Sequence, residues 1–182
     1  MWIAAVCIAL LVLWVVVSYN LLVRARNLVS EAWSGIDVQL KRRHDLIPNI
    51  VECVKGYSAH ERELFENVAQ ARATSLASDA IPARADAENA VTGQLKSLLA
   101  IVEAYPELKA NTNFLELQKG LTEVEDDIQY ARRYYNAVVR DYNIRAQSFP
   151  GLIIAGLFGF GKKDYFEIEY ATERQTPDAK FE

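Results

Sequence analysis

The sequence predicts an all-α protein in which an N-terminal transmembrane helix continues into an antiparallel up-down helical bundle of about four helices. Residues 2–17 are apolar without interruption, and apolar residues then recur every three or four positions as far as residue 142. Such spacing is typical of helices that bury one face. The 182 residues include only eight glycines and five prolines, so few positions break a helix.

The predicted membrane anchor is residues 1–23. Its apolar run is interrupted at residues 18–20, resumes at Leu21 and ends before Arg24. About 22 residues of helix extend roughly 33 Å, which is enough to cross the hydrocarbon core of a bilayer. A cleaved signal peptide is the alternative, but it needs a basic start and a small-residue cleavage site. The run has neither, which favours an uncleaved anchor.

Basic residues predict the orientation of this anchor. Arg24, Arg26 and then residues 41–43 follow the apolar run, and no Lys or Arg occurs within it. An excess of Lys and Arg marks the cytoplasmic side of a membrane helix. We therefore expect a single-pass protein with its N-terminus outside the membrane and its C-terminal domain in the cytoplasm.

Residues 24–149 form the predicted bundle. Its first helix carries an apolar stripe from Val29 to Tyr57 that keeps its phase across Pro48, which favours a kinked continuous helix over a break. Arg43 occupies the one position of the stripe that is not apolar. Two shorter helices follow, and a capping box of Ser58 and Glu61 is expected to open the first of them.

The last helix of the bundle has the most regular pattern in the sequence. Asn113 with Glu116 is its expected cap, and it should end near Pro150. Its stripe runs at intervals of three and four through Phe114, Leu117, Leu121, Val124, Ile128, Ala131, Tyr135, Val138 and Tyr142. This helix is predicted to run back towards the membrane over about the same length as the first helix runs away from it. Its end is therefore predicted to lie at the membrane.

Residues 150–171 form an apolar membrane-proximal segment and a short extension, and residues 172–182 are expected to be a disordered tail. Residues 151–160 are too few to span a bilayer, so two interpretations stay open. The segment dips into the membrane interface beside the following lysines, or it folds back over the base of the bundle. The candidate membrane-interface residues are Arg24, Arg26, Leu152, Ile153, Ile154, Leu157, Phe158, Phe160, Lys162 and Lys163.

The sequence contains no recognisable catalytic constellation. His60-Glu61 lacks the second histidine of a zinc-protease motif, and no glycine loop suited to phosphate occurs. We predict no catalytic residues, no metal site and no cofactor. The net charge of −4 argues against a nucleic-acid partner.

Polar side chains on the long helices are the candidate contacts. Antiparallel packing brings Arg42 and Arg43 level with residues near 130, so ion pairs with Asp126 or Asp127 are expected, and a partner-binding face is the alternative. Asparagines recur one heptad apart on both helices and predict either register contacts inside the bundle or contacts between copies. The candidates are Arg42, Arg43, Asn20, Asn27, Tyr135, Asn136, Tyr142 and Asn143.

Several strings along nearly the whole chain resemble the LemA family. The most specific are Arg42-Arg43-His44-Asp45-Leu46-Ile47-Pro48-Asn49 and Glu103-Ala104-Tyr105-Pro106-Glu107-Leu108-Lys109-Ala110. The resemblance implies a single-pass protein of the bacterial inner (cell) membrane with a cytoplasmic helical bundle, and it supplies no catalytic residues.

Two functional hypotheses follow. The first is a non-enzymatic, membrane-anchored scaffold or adaptor that forms a homo-oligomer or recruits an unidentified protein partner. The alternative is a protein whose residues 151–163 contact membrane lipid and sense or perturb the bilayer.

Overall fold

The computed structural model describes residues 1–58 and 60–167. In this part of the chain it contains six helices and no strand, which confirms the predicted all-α class. The helices are α1 (Trp2–Lys55), α2 (Arg62–Leu76), α3 (Ile81–Val102), α4 (Pro106–Lys109), α5 (Thr112–Gln147) and α6 (Gly151–Phe158). The tail predicted at 172–182 lies outside the described residues.

Helix α1 is continuous over 54 residues and contains Pro48. Pro48 is exposed, whereas Ile47 and Ile50 beside it are buried. The ring of Pro48 therefore does not enter the core, and tertiary packing on either side holds the helix together where one backbone hydrogen bond is lost. The predicted continuity through Pro48 is confirmed.

The chain divides into two compact units, of which the first comprises residues 1–48 and 116–165. In this unit α1 and α5 run antiparallel. Arg42 contacts Asp127 at 3.0 Å, while Trp33, nearer the start of α1, packs edge-on against Tyr135, nearer the end of α5. Buried residues of the two helices include Leu22, Val29, Ile36, Leu40, Leu121, Val124, Ile128, Val138 and Val139.

Among the described residues, the second unit comprises residues 49–58 and 60–115 with Phe166 and Glu167. Within it α2 and α3 pack against each other as a helical hairpin. Phe65 and Val68 of α2 are buried, as are Val91, Leu95, Leu98 and Val102 of α3, at the spacing of one helical face.

Two predicted helix caps are wrong. Ser58 is buried, and its hydroxyl donates to the Val54 carbonyl at 3.3 Å, so it closes α1 and forms no capping box for α2. Helix α5 begins one residue before Asn113, and Asn111 is its cap, since the Phe114 amide donates to Asn111 Oδ1 at 3.1 Å. The predicted count of about four helices also omitted α4 and α6, which are short.

Candidate functional site

The apolar segment after α5 lies beside the end of the predicted membrane span. The ring of Tyr19, inside that span, lies 4.9 Å from the ring of Phe158 and 5.7 Å from that of Phe160, both in edge-on geometry. The Arg26 guanidinium lies 5.2 Å from the centre of the Phe160 ring. The first unit therefore brings α6 next to the part of α1 where apolar sequence gives way to basic sequence.

Helix α6 has one buried side and one exposed side. Ile154 and Ala155 are buried, as is Phe160 just beyond the helix. The exposed apolar side chains of this segment are Leu152, Ile153, Leu157 and Phe158, with Leu157 74% exposed. Ile154 and Phe160 were expected at the membrane interface, and this expectation is corrected because both side chains pack inside the protein.

Two glycines shape the path of this segment. A Cβ at Gly151 would clash with the Arg145 carbonyl oxygen, so only glycine fits where α6 turns away from α5. Gly159 has φ +71°, a left-handed conformation that ends α6. The chain then returns along α5 without forming a helix or a strand, and we call these residues, 159–165, the C-terminal strap.

Three side chains of α5 hold the strap through its backbone. The hydroxyl of Tyr142 donates to the Gly161 carbonyl, and that of Tyr135 donates to the Asp164 carbonyl, both at 2.9 Å. The Asn143 amide donates to the Lys163 carbonyl and accepts from the Lys163 amide, each at 2.9 Å. These four hydrogen bonds align one face of α5 with the strap.

The roles expected for these side chains are therefore corrected. Tyr135, Tyr142 and Asn143 were candidates for contacts between copies, but they are buried and bond to the strap of their own chain. The Tyr135 ring also packs against Trp33 of α1, which is a contact between bundle helices. Since the strap covers this face of α5, these side chains cannot reach a second copy without releasing it.

Burial keeps the two tyrosine hydroxyls protonated. Burial, together with the smaller effect of the negative charge of Asp164, raises the pKa of Tyr135 to about 12. Burial also raises the pKa of Tyr142, against the opposing effect of positive Arg26. Both hydroxyls are thus donors at neutral pH, as their bonds to backbone carbonyls require.

The two candidate arginines of α1 bind carboxylates of α5. Arg42 forms an ion pair with Asp127 at 3.0 Å, as the antiparallel register predicted, and Arg43 forms one with Glu125 at 2.9 Å. The Arg42 side chain is 52% exposed and that of Arg43 only 1%. The expectation that Arg43 contacts a partner is corrected, because its side chain is enclosed by its own chain.

The other sequence candidates lie nearer the surface. Asn20 and Asn27 are exposed on α1, and Asn136 is half-buried on α5. Arg24, Arg26 and Lys162 are exposed, whereas Lys163 is half-buried.

Sequence reasoning missed an outward-facing pair of tyrosines on α5. Tyr130 is 66% exposed and Tyr134, one helical turn further on, is 52% exposed. The Arg133 guanidinium lies 4.6 Å from the centre of the Tyr130 ring. The sequence did indicate that these tyrosines are exposed, because both fall outside the regular apolar stripe of this helix. We call Tyr130, Arg133 and Tyr134 the outer aromatic patch.

In the described part of the chain, no group of three or more His, Cys, Asp or Glu side chains is arranged to hold a metal ion. One helix, α1, is long and apolar enough to cross a membrane. The first unit thus combines three features. These are an apolar end bordered by basic residues, a strap that is hydrogen-bonded to α5, and an exposed aromatic patch.

Comparison with known proteins agrees with this architecture. The LemA family profile matches residues 32–181. The chain belongs to the LemA family. Protein LemA of Metamycoplasma hominis is 26% identical over 134 residues, covering 71% of this chain and 60% of the relative.

Magnetosome proteins are also similar. Magnetosome protein MamQ 2 of Paramagnetospirillum magneticum is 25% identical over 175 residues, which covers 82% of this chain and 64% of the relative. Magnetosome protein MamQ of Magnetospirillum gryphiswaldense is 24% identical over 174 residues, covering 81% and 64%. The match therefore spans less than two thirds of the length of these relatives. The family and the candidate membrane helix together identify a membrane-associated LemA protein.

Proposed function

We propose that this LemA family protein is a non-enzymatic, membrane-anchored scaffold that self-associates through the outer aromatic patch. The observation that carries the proposal is the exposure of Tyr130 and Tyr134 on a helix whose apolar stripe is mostly buried. Tyrosine and arginine are enriched at protein interfaces because they combine apolar area with hydrogen-bonding groups.

The arrangement of the first unit supports a second copy as the occupant of this patch. Anchoring through α1 confines all copies to one surface, which raises their effective concentration and lets a small patch assemble them. The assembled patches would then present the helices outside the membrane to other proteins.

The scaffold is proposed to lie at the bacterial inner membrane, with the N-terminus outside and the helices after residue 24 in the cytoplasm. The basic residues that follow the apolar run support this orientation. The names of the related proteins are not names of enzymes, which agrees with a non-enzymatic role.

Cross-linking in membranes tests the patch directly. In full-length protein with Cys7→Ala and Cys53→Ala, we expect Asp126→Cys, at an exposed position one helical turn before Tyr130, to form a disulfide-linked or linker-bridged dimer. Val38→Cys is the matched control, since Val38 is similarly exposed on α1. Equal cross-linking at both positions, or none at Asp126→Cys, would refute self-association through this patch.

A second candidate function is contact with membrane lipid through residues 151–163. The exposed apolar side of α6 favours it, because Leu152, Ile153, Leu157 and Phe158 extend outward beside the apolar part of α1. Lysines 162 and 163 follow at the position expected for headgroup contact.

Spin labels distinguish lipid from water around α6. In nanodiscs, a label at Leu157→Cys is expected to collide with oxygen, which dissolves in lipid, more than with a water-soluble nickel complex. A label at Val38→Cys should show the opposite preference. The same water-exposed behaviour at both sites would exclude insertion of α6.

A further inference from the structure

A cleft of about 350 Å³ lies in the first unit between α1 and the end of α5. Its walls are mainly apolar and include Leu21 and Leu22 from α1 and Ile144 and Phe149 from the end of α5 and the turn after it, with Arg145 among them. The volume is within the range of sites that bind small molecules.

The depth of the cleft relative to the membrane follows from α1. Leu21 and Leu22 are in the last apolar turn before Arg24, so the cleft straddles the predicted boundary between hydrocarbon and headgroups. Leu21, Ile144 and Phe149 are exposed, which leaves the apolar wall open to whatever surrounds the anchor. At this depth the surroundings are lipid.

The headgroup side of the cleft is basic. Arg145 lines both this cleft and an adjoining one of about 150 Å³, which is also lined by Arg24 and Asp141. Asp141 is paired with the guanidinium of Arg140 at 3.1 Å. Since that arginine offsets the one carboxylate, Arg24 and Arg145 leave an excess of positive charge beside the apolar wall.

We infer that this cleft binds one anionic phospholipid of the bilayer. An acyl chain lies against Leu21, Ile144 and Phe149, and the phosphate accepts hydrogen bonds from Arg24 and Arg145, because guanidinium groups bind phosphate in a bidentate geometry. The inference rests on membrane anchoring through α1, as the proposed function does, but it does not require self-association.

Native mass spectrometry of full-length protein, released from nanodiscs of phosphatidylglycerol and phosphatidylcholine, tests the site. We expect one phosphatidylglycerol retained per chain in preference to phosphatidylcholine. Arg145→Gln should weaken this retention about tenfold, as expected for loss of one charge-assisted contact. Lys41→Gln is the control, since it removes an exposed positive charge of α1 from outside the cleft and should leave retention unchanged.

A second variant tests the apolar wall. Ile144→Trp keeps both arginines but fills the cleft, and it should abolish lipid retention. Equal loss in Arg145→Gln and Lys41→Gln would show general attraction to anionic lipid and overturn the site. Retained lipid in Ile144→Trp, together with a smaller protein assembly, would mean that a second copy occupies the cleft. A monomer that still retains one phosphatidylglycerol would support the site while refuting the scaffold.

Discussion

Replacing Asn143 with alanine should release the C-terminal strap from α5. The substitution removes two hydrogen bonds to the backbone of Lys163, each 2.9 Å long, from a side chain that is buried. Each bond contributes about 1 kcal/mol net, and the half-buried Lys163 groups left without a protein partner cost part of a further 1–3 kcal/mol. The expected loss is about 2–3 kcal/mol, or roughly a 30- to 150-fold increase in strap opening.

Hydrogen exchange on full-length protein in nanodiscs measures this opening at the Lys163 amide, which donates to Asn143. Asn67→Ala, at an exposed position of α2, is the matched control, because both substitutions gain the same helix propensity. Exchange should accelerate in residues 159–165 of the Asn143 variant and stay unchanged in the control. If exchange at Lys163 rises less than about threefold, the hydrogen bonds do not hold the strap and the reasoning fails.

Three further predictions concern stability and titration. Glu125→Gln should lower the free energy of unfolding by about 2 kcal/mol, because it removes the carboxylate that pairs with the buried guanidinium of Arg43. Asp127→Asn at the exposed pair with Arg42 should cost less than about 1 kcal/mol in the same denaturant titration. Gly151→Ala should destabilise the protein by about 1–3 kcal/mol, because the added Cβ clashes with a backbone carbonyl. Gly156→Ala has open space around its Cβ and should stabilise α6 by about 0.5–1 kcal/mol. Equal shifts in melting temperature for the two variants would contradict the tight packing at Gly151. The pKa of Tyr135 is raised to about 12, so its neutral hydroxyl stabilises the folded state below pH ~10, and this stability should be lost as pH rises from about 10 to 12. In an absorbance titration, Tyr135 should ionise to tyrosinate later than an ordinary tyrosine, and a Tyr135→Phe variant should lack this late step.

The long helices could be predicted because their signal is local. The stripe of α5 from Phe114 to Tyr142 repeats without a gap, and the phase kept across Pro48 correctly indicated that α1 continues. The sequence also indicated that Arg43 is buried, since this residue occupies a position of the apolar stripe of α1. Its carboxylate partner could be placed only approximately, because register depends on contacts between distant parts of the chain.

The contacts of the strap could not be predicted from periodicity. Asn143 was recognised as unusual, but its partner is the backbone of Lys163, whose path depends on the turns at Gly151 and Gly159. The two helix caps were predicted wrongly for a similar reason. Ser58 and Asn113 have side chains that can cap a helix, but Ser58 bonds to the last turn of α1 and Asn111, not Asn113, caps α5.

The mass of the full-length protein in nanodiscs, compared with that of a shortened chain beginning at residue 24, tests the scaffold most directly. The account predicts a discrete assembly that is a multiple of 20.5 kDa and that is lost or reduced when the anchor is removed. It also predicts that Tyr130→Ser with Tyr134→Ser reduces this assembly, while the double phenylalanine variant keeps it. A monomer at every protein concentration would contradict self-association and direct attention to the lipid contacts of α1, α5 and α6.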